Sequence, residues 1–419
     1  MSVVNGSKTP ASLTPSTEVS APRWHSIVAM AMLGLMSLFS YEIARPTIKT
    51  MFQQAYGAHR EPWAWIGVAM AVTIVVMLYG KAAQRNTLNQ LGMRAIGWII
   101  ATLIALIGLV KFEVPGSVFA LYIWKDIYIV LIIELFWSFA NSSLKFDSAR
   151  WLYGLFCFIG GIGAALGGSV TVVLGEMQFG LLNSVMCVLI PLGMCWLCPL
   201  FCPPVGASTS SERPSLTTGF KTVRQSQYLG LLLAVIVLSQ VCITLIDYDF
   251  SVFFETAYPN ELVRQSELSS VYRWINITSM GLQILTGAVL LVLKLRGTLL
   301  GIPVMLGASV MIFLVHPIAG IMIFAKISSK AMDYSIFRAT KELLYLPLDR
   351  SERVEGKAVV DIMGYRVAKA GASALVLFVT PFVTIPYISS MMAVALSLVW
   401  IYLVHLLVKR HHALTQEES

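Results

Sequence analysis

The chain has 419 residues, of which 57% are apolar and only 12% charged, with 30 Lys and Arg against 22 Asp and Glu. A soluble domain carries roughly 25% charged residues, so a water-soluble globule of this size is excluded, and apolar runs of the roughly 20 residues that a helix needs to cross a bilayer recur along the chain. The composition indicates an all-α membrane protein whose basic excess sits on cytoplasmic loops rather than on a nucleic-acid surface.

Residues 1–24 are rich in Ser, Thr and Pro, lack the apolar core of a secretory signal, and predict a disordered cytoplasmic tail. Twelve apolar spans follow, at 25–45, 63–83, 95–112, 118–142, 151–175, 178–201, 227–250, 271–293, 297–317, 318–337, 367–387 and 389–408. They form an N-terminal six-helix half (25–201) and a C-terminal six-helix half (227–409). A polar linker (202–226) joins the halves, and a short tail (410–419) ends the chain. With both termini in the cytoplasm, most of the 30 Lys and Arg fall on the inner side, leaving Arg45, Lys49, Arg60, Lys111 and Arg264 outside.

Ionisable residues within the spans each need a partner, water or a function. The first span ends "SYEIARPTIK". Glu42 and Arg45 share a helix face and can pair; alternatively, Arg45 forms the cationic wall of a central cavity. Pro46 predicts a bend there. Lys49, beyond it, is either a snorkelling interfacial residue or a second cavity cation. In the fourth span Lys125 and Asp126 are adjacent and predict different faces, whereas Glu134, Trp137 and Asn141 recur at helical spacing, as a packing stripe or a cavity lining. The fifth span carries Gly160, Gly161, Gly163, Gly167 and Gly168, which read as close helix contacts and not as a phosphate loop. Cys195, Cys198 and Cys202 in the sixth have a spacing that invites a metal, but their apolar setting without His reads as packing. The seventh span ends with Asp247, deep enough for a functional role, and with Asp249 and Glu255 at its edge; Arg273 in the eighth is a candidate partner for these acids.

With an offset of 202, Phe52, Ala55 and Tyr56 after the first span match Phe254, Ala257 and Tyr258 after the seventh. Two six-span halves related in this way are the architecture of the major facilitator superfamily, with a substrate site near the midplane. No nucleotide-loop, metalloprotease or Ser-His-Asp motif is present, so neither an enzyme nor a metal or other cofactor is expected.

After the tenth span the chain turns highly charged: "KELLYLPLDRSERVEGKAVVDIMGYR", residues 341–366. Lys341, Glu342, Tyr345, Pro347 and Leu348 fit a "KE-x-x-Y-x-PL" element; Gly356, Lys357, Ala358 and Asp361 fit "GKA-x-x-D"; and "AKAGAS" closes it with Lys369. A second block, "FWSFANSSLKFDSARWLYGLF", contains Asn141. Both resemble the ATP/ADP translocase family of rickettsiae, chlamydiae and plastids. The family's acid after the Asn is absent here, where Ser142 stands instead.

The resemblance implies nucleotide exchange by alternating access in a bacterial inner membrane, with the lipid bilayer and a phosphate-bearing anion as partners and no nucleic acid. Its expected substrate-binding residues are Arg45, Lys49, Asn141, Asp247, Lys330, Lys341 and Glu342. Asp349, Arg350, Lys357, Asp361 and Lys369 are the expected gate or ion-pair network. The residues alone leave open a carrier of another phosphorylated or anionic metabolite, a lipid-modifying membrane enzyme, and a non-transporting sensor.

Overall fold

The computed structural model describes residues 24–417 except 84, 144–145, 203–215, 350–351, 353–355, 358, 361–363 and 384. Most of the expected N-terminal tail, most of the linker, and Arg350 and Asp361 lie outside the described residues.

Every described regular element is helical. The order is α1 (Trp24–Tyr56), a 3-10 turn (Ala58–Arg60), α2 (Glu61–Ala83), α3 (Leu88–Lys111), α4 (Ser117–Ser143), α5 (Phe146–Glu176), α6 (Leu181–Met186), α7 (Leu189–Phe201) and α8 (Leu216–Gln225). Then come α9 (Gln227–Ala257), α10 (Glu261–Val315), α11 (Ala319–Met332), a π-helical turn (Asp333–Phe337), α12 (Arg338–Leu344), α13 (Tyr365–Val379) and α14 (Ile388–Glu417). Eight of the described helical stretches are long and apolar enough to cross a membrane. The backbone hydrogen bonding closed within each helix is what a lipid solvent demands.

α10 would be about 80 Å long as a single rod at ~1.5 Å per residue, far more than the ~30 Å hydrocarbon core. It is two limbs meeting at Lys294, whose φ of 55° and ψ of 176° leave the helical region. This is where the sequence places the break between the eighth and ninth spans. The first limb starts at Glu261, ten residues before the expected span, because Asn260 caps it by accepting from the Leu262 and Val263 N–H groups at 3.0 and 3.1 Å.

The expected bend at Pro46 does not interrupt α1, which runs on to Tyr56. Proline removes the N–H that would reach the Glu42 carbonyl. The Thr171 hydroxyl of α5 donates to that carbonyl at 3.2 Å and takes the missing partner's place. α5 comes this close because of its glycines. A Cβ on Gly163 would stand 2.2 Å from the Leu35 carbonyl oxygen, and one on Gly167 would stand 2.4 Å from that of Phe39. The other side of α5 presses on α10, where a Cβ on Gly161 would meet Met280 at 2.6 Å.

Two groups of helices pack internally: α1 with α4, α5, α6 and α7, and α9 with α11 and α14, on which α10 also packs. The groups meet where α5 lies along α10, α2 along α13 and α1 along α10.

Candidate functional site

The meeting line of the two helix groups is where the charge is buried. On the α9 side, Asp247 holds two lysines of α11: Lys326 Nζ donates to Oδ1 at 2.5 Å and Lys330 Nζ lies 2.9 Å from Oδ2. The lysines are four residues apart and therefore on one helix face. Just beyond Lys330, the π-helical turn brings Asp333 inward, and Gln240 of α9 donates to it at 3.0 Å. A single wide turn of this kind shifts the register of a helix face and recurs at functional sites.

On the α1 side, Arg45 pairs with Glu42 at 3.3 Å, and its guanidinium carbon lies 3.8 Å from the ring centre of Tyr272 on α10. Lys125 and Asp126 of α4, expected on different faces, instead pair at 2.8 Å. The long lysine stem curls back over the neighbouring carboxylate, and Tyr41 of α1 donates to the same carboxylate at 3.1 Å. The Lys125 ammonium also sits 3.8 Å from the Tyr122 ring centre, a cation–π contact.

Lys49 is not an interfacial residue. It is buried, its ammonium donates to Ser251 of α9 at 2.5 Å, and it pairs with Glu61 at 3.1 Å. Glu61 itself is fully buried, accepts from Ser251 at 3.1 Å and from Gln53 at 2.8 Å. Around this knot Gln265 of α10 donates to Thr47 at 2.9 Å, and the Ala58 N–H donates to Glu255 at 2.7 Å. The end of α1, the start of α2, the end of α9 and the start of α10 are thereby laced together. Asp249 is likewise buried and not at an edge: it accepts from the Ser390 N–H at 2.6 Å in the first turn of α14. Arg273 does not pair with these acids; it donates to Ser270 at 3.4 Å.

The remaining expected residues are spread more widely. Lys369 lies 5.5 Å above the Trp65 ring, so α13 points a cation at α2. Lys341 is buried with its ammonium 5.2 Å from the Tyr365 ring centre. Glu342 is outside the seam and pairs at 2.5 Å with Lys357 in an exposed position. Asn141 is exposed and accepts from Tyr153 at 2.7 Å. Asp349 lines a cleft with Tyr228, Glu352 and Arg410, away from Asp247. The structure thus brings Arg45, Lys49, Asp247, Lys330 and Lys369 to the line between the helix groups, and leaves Asn141, Glu342, Asp349 and Lys357 outside it.

Sequence reasoning missed Lys326 and Glu61. Lys326 carries a visible signal, its four-residue spacing from Lys330 within an apolar stretch. Glu61 precedes the second apolar run and looks like a loop residue.

Burying so many ions costs several kcal/mol each unless they are paired. Here each acid of the seam has a donor, and the Asp247 group carries two lysines for one carboxylate. Such a group can release a cationic surface to an incoming anion without leaving an unpaired carboxylate, provided one lysine stays on Asp247.

Residues 205–411 match the model of the TLC ATP/ADP transporter family. Among curated proteins, the chain is 24% identical to ADP,ATP carrier protein 1 of Chlamydia muridarum over 61% of this chain and 57% of that one. It is 23% identical to the protein of the same name from Chlamydia pneumoniae over 83% of each, and 24% identical to ADP,ATP carrier protein 5 of Rickettsia bellii over 67% and 66%. The chain thus spans little more than half the length of the first of these relatives. Two solved structures share the fold. A mutant of the nucleoside transporter NupG superposes with a TM-score of 0.68 at 11% identity, over 93% of this chain and 99% of that one. The POT family transporter PepTSo superposes with 0.65 at 11%, over 94% and 99%.

Proposed function

Since residues 205–411 match the TLC ATP/ADP transporter family and the curated relatives are ADP,ATP carrier proteins, we propose that the chain is a carrier of that family that exchanges nucleotides of the ATP/ADP type across a bacterial inner membrane. Its relatives are carriers and its structural neighbours transporters, and no catalytic step is needed for this reading. Twelve spans in two six-helix halves fit it, with α10 supplying two of them and α11 to α12 one. The positive-inside bias supports an orientation with both termini in the cytoplasm.

The observation that carries the reading is the clamping of Asp247 between Lys326 and Lys330. Nucleotide phosphates carry three or four charges and call for several cations, lysine acting as a point charge and arginine as a fork. Asp247 holds the two lysines in the way that a phosphate oxygen of the substrate would. Arg45, Lys330 and Lys341, with Lys326 and Lys369, supply the cations. Lys49 serves differently. With Glu61, Ser251, Thr47 and Gln265 it fastens the two halves at the end opposite the termini. Opening that fastening while the other end closes is the rocking motion of alternating access.

Uptake of labelled ATP and ADP into proteoliposomes, with and without internal counter-nucleotide, tests the proposal. Uptake that depends on the internal nucleotide is expected. Nucleotide-independent uptake of another phosphorylated metabolite would replace it with the metabolite-carrier reading.

A further inference from the structure

A second cationic cluster lies away from the seam, where the two limbs of α10 meet α14. Arg296 and His405 touch across this contact, with the guanidinium Nη2 3.5 Å from the imidazole Nδ1. Lys294 stands two residues before Arg296 at the break between the limbs, and Lys409 stands one helical turn beyond His405 on the same face of α14. All four side chains are exposed.

What distinguishes this cluster from the seam is the absence of acids in the sequence around it. There is no Asp or Glu between residues 268 and 332, nor between 362 and 416. Neither limb of α10 from 268 onward, nor α11 as far as Met332, nor α14 before Glu417 can therefore supply a counter-charge. Arg410, the next residue on α14, shows the contrast: it lines a cleft with Asp349 and Glu352 and so has acids at hand. In the seam, carboxylates answer the cations; at Arg296 the contact is the His405 imidazole.

The surroundings point to the source of the missing anion. Leu291 and Val292 on α10 are 83% and 78% exposed, and Leu398 and Tyr402 on α14 are 65% and 61% exposed. These are bare aliphatic and aromatic surfaces beside the cations, as a lipid tail beside its headgroup requires. Basic pockets between transmembrane helices at a membrane face take anionic headgroups, at roughly 1 kcal/mol per Lys or Arg.

We infer that Arg296, Lys409, Lys294 and His405 form a binding site for one anionic glycerophospholipid. Its phosphodiester lies between Arg296 and Lys409 and its acyl chains lie along Leu291, Val292 and Leu398. The lipid supplies the counter-charge that α10 beyond residue 267, α11 and α14 before Glu417 lack, and ties the α10 break to α14.

The full chain, purified in detergent and delipidated, would be titrated with phosphatidylglycerol, with phosphatidylcholine and with inorganic phosphate. Retention would be read by native mass spectrometry, and melting would be followed in nanodiscs of either lipid. The wild type should retain one phosphatidylglycerol, discriminate against phosphatidylcholine, and melt higher in phosphatidylglycerol nanodiscs. The double variant Arg296→Gln, Lys409→Gln should bind phosphatidylglycerol roughly thirtyfold more weakly and lose the difference in melting. Arg296→Lys should keep most of both. Equal retention of the two lipids, or unchanged retention by the double variant, would overturn the site. Displacement of the lipid by millimolar inorganic phosphate would show a plain anion site and overturn the lipid assignment.

Discussion

At one matching position the two helix groups place charges of opposite sign, and at the next a charge in one group meets a hydroxyl in the other. At the offset of 202 residues, Arg45 of α1 corresponds to Asp247 of α9, and Lys49 corresponds to Ser251, the residue it touches. The ring pairs Phe52 with Tyr56, and Phe254 with Tyr258, recur at centroid distances of 5.1 and 4.5 Å. On the partner helices the order inverts again, with Asp126 on α4 and Lys326 and Lys330 on α11. The ring contact therefore recurs in both groups while the charges differ. The first group balances its ions, Glu42 with Arg45 and Asp126 with Lys125. The second holds two lysines on one acid. On the proposed reading, an anion entering between them would gain more from the second group, and the first group's arginine would be left to read its charge.

The largest effect should come from removing the shared acid. Asp247→Ala strands two buried lysines side by side, and breaking a buried pair by deleting one partner costs ~3–5 kcal/mol. Thermal melting should fall steeply and exchange should cease. The matching deletion in the first group, Asp126→Ala, should cost less than half as much, because Lys125 keeps its contact with the Tyr122 ring. Equal losses at the two positions would break the asymmetry between the groups.

Next in size is the fastening between the groups. Thr47 and Gln265 meet at 2.9 Å across it. In a background without the six native cysteines, Thr47→Cys with Gln265→Cys should cross-link under mild oxidation and stop uptake by roughly tenfold or more, with recovery on reduction. A cross-linked carrier that still exchanges would mean that this end does not open during transport, and Lys49 would again count among the substrate contacts.

Smaller still is the role of Arg45 in reading charge. Arg45→Gln should weaken triphosphate binding more than diphosphate binding, because a lost cation matters more to the more highly charged ligand. Arg45→Lys should recover only part, lacking the planar fork that also stacks on Tyr272. If Arg45 serves only to neutralise Glu42, the double variant Glu42→Gln, Arg45→Gln will transport normally. Tri- and diphosphate affinities of the three variants separate these accounts.

Much of this arrangement is legible from the sequence, and the parts that are not share one physical cause. Apolar runs mark where a helix faces lipid, so they locate the spans and the break at Lys294. They do not mark where a helix faces the other group. α1 runs eleven residues past its apolar run, to Tyr56, and α9 seven past its own, to Ala257. Their ends are buried by each other instead of by lipid. Lys49, Asp249 and Glu61 therefore look interfacial in the sequence and are buried in the fold. Lys326 is hidden for the opposite reason: it lies in an apolar stretch where the matched family element beginning at Lys341 draws attention downstream.

The smallest predicted effect concerns how the first group keeps its charged helix straight enough to reach the second. Pro46 leaves the Glu42 carbonyl without its helical donor, and the single O–H of Thr171 is shared between that carbonyl at 3.2 Å and the Gly167 carbonyl at 2.8 Å. Thr171→Val keeps the shape of the side chain and removes the hydroxyl. Interhelical hydrogen bonds in membranes contribute ~0.6 kcal/mol on average and up to ~1.7, so melting should fall by only a few degrees. The functional consequence should be specific. With the carbonyl unanswered, α1 should hinge at Pro46, and Arg45 and Lys49 should lose register with Tyr272 and Ser251 together. Exchange should slow several-fold with little loss of folded protein. Thr171→Ser, which restores the donor, should return the wild-type rate. If Val and Ser variants transport alike, the hydroxyl is not what holds α1 across its proline, and the packing of Gly163 and Gly167 against Leu35 and Phe39 suffices alone.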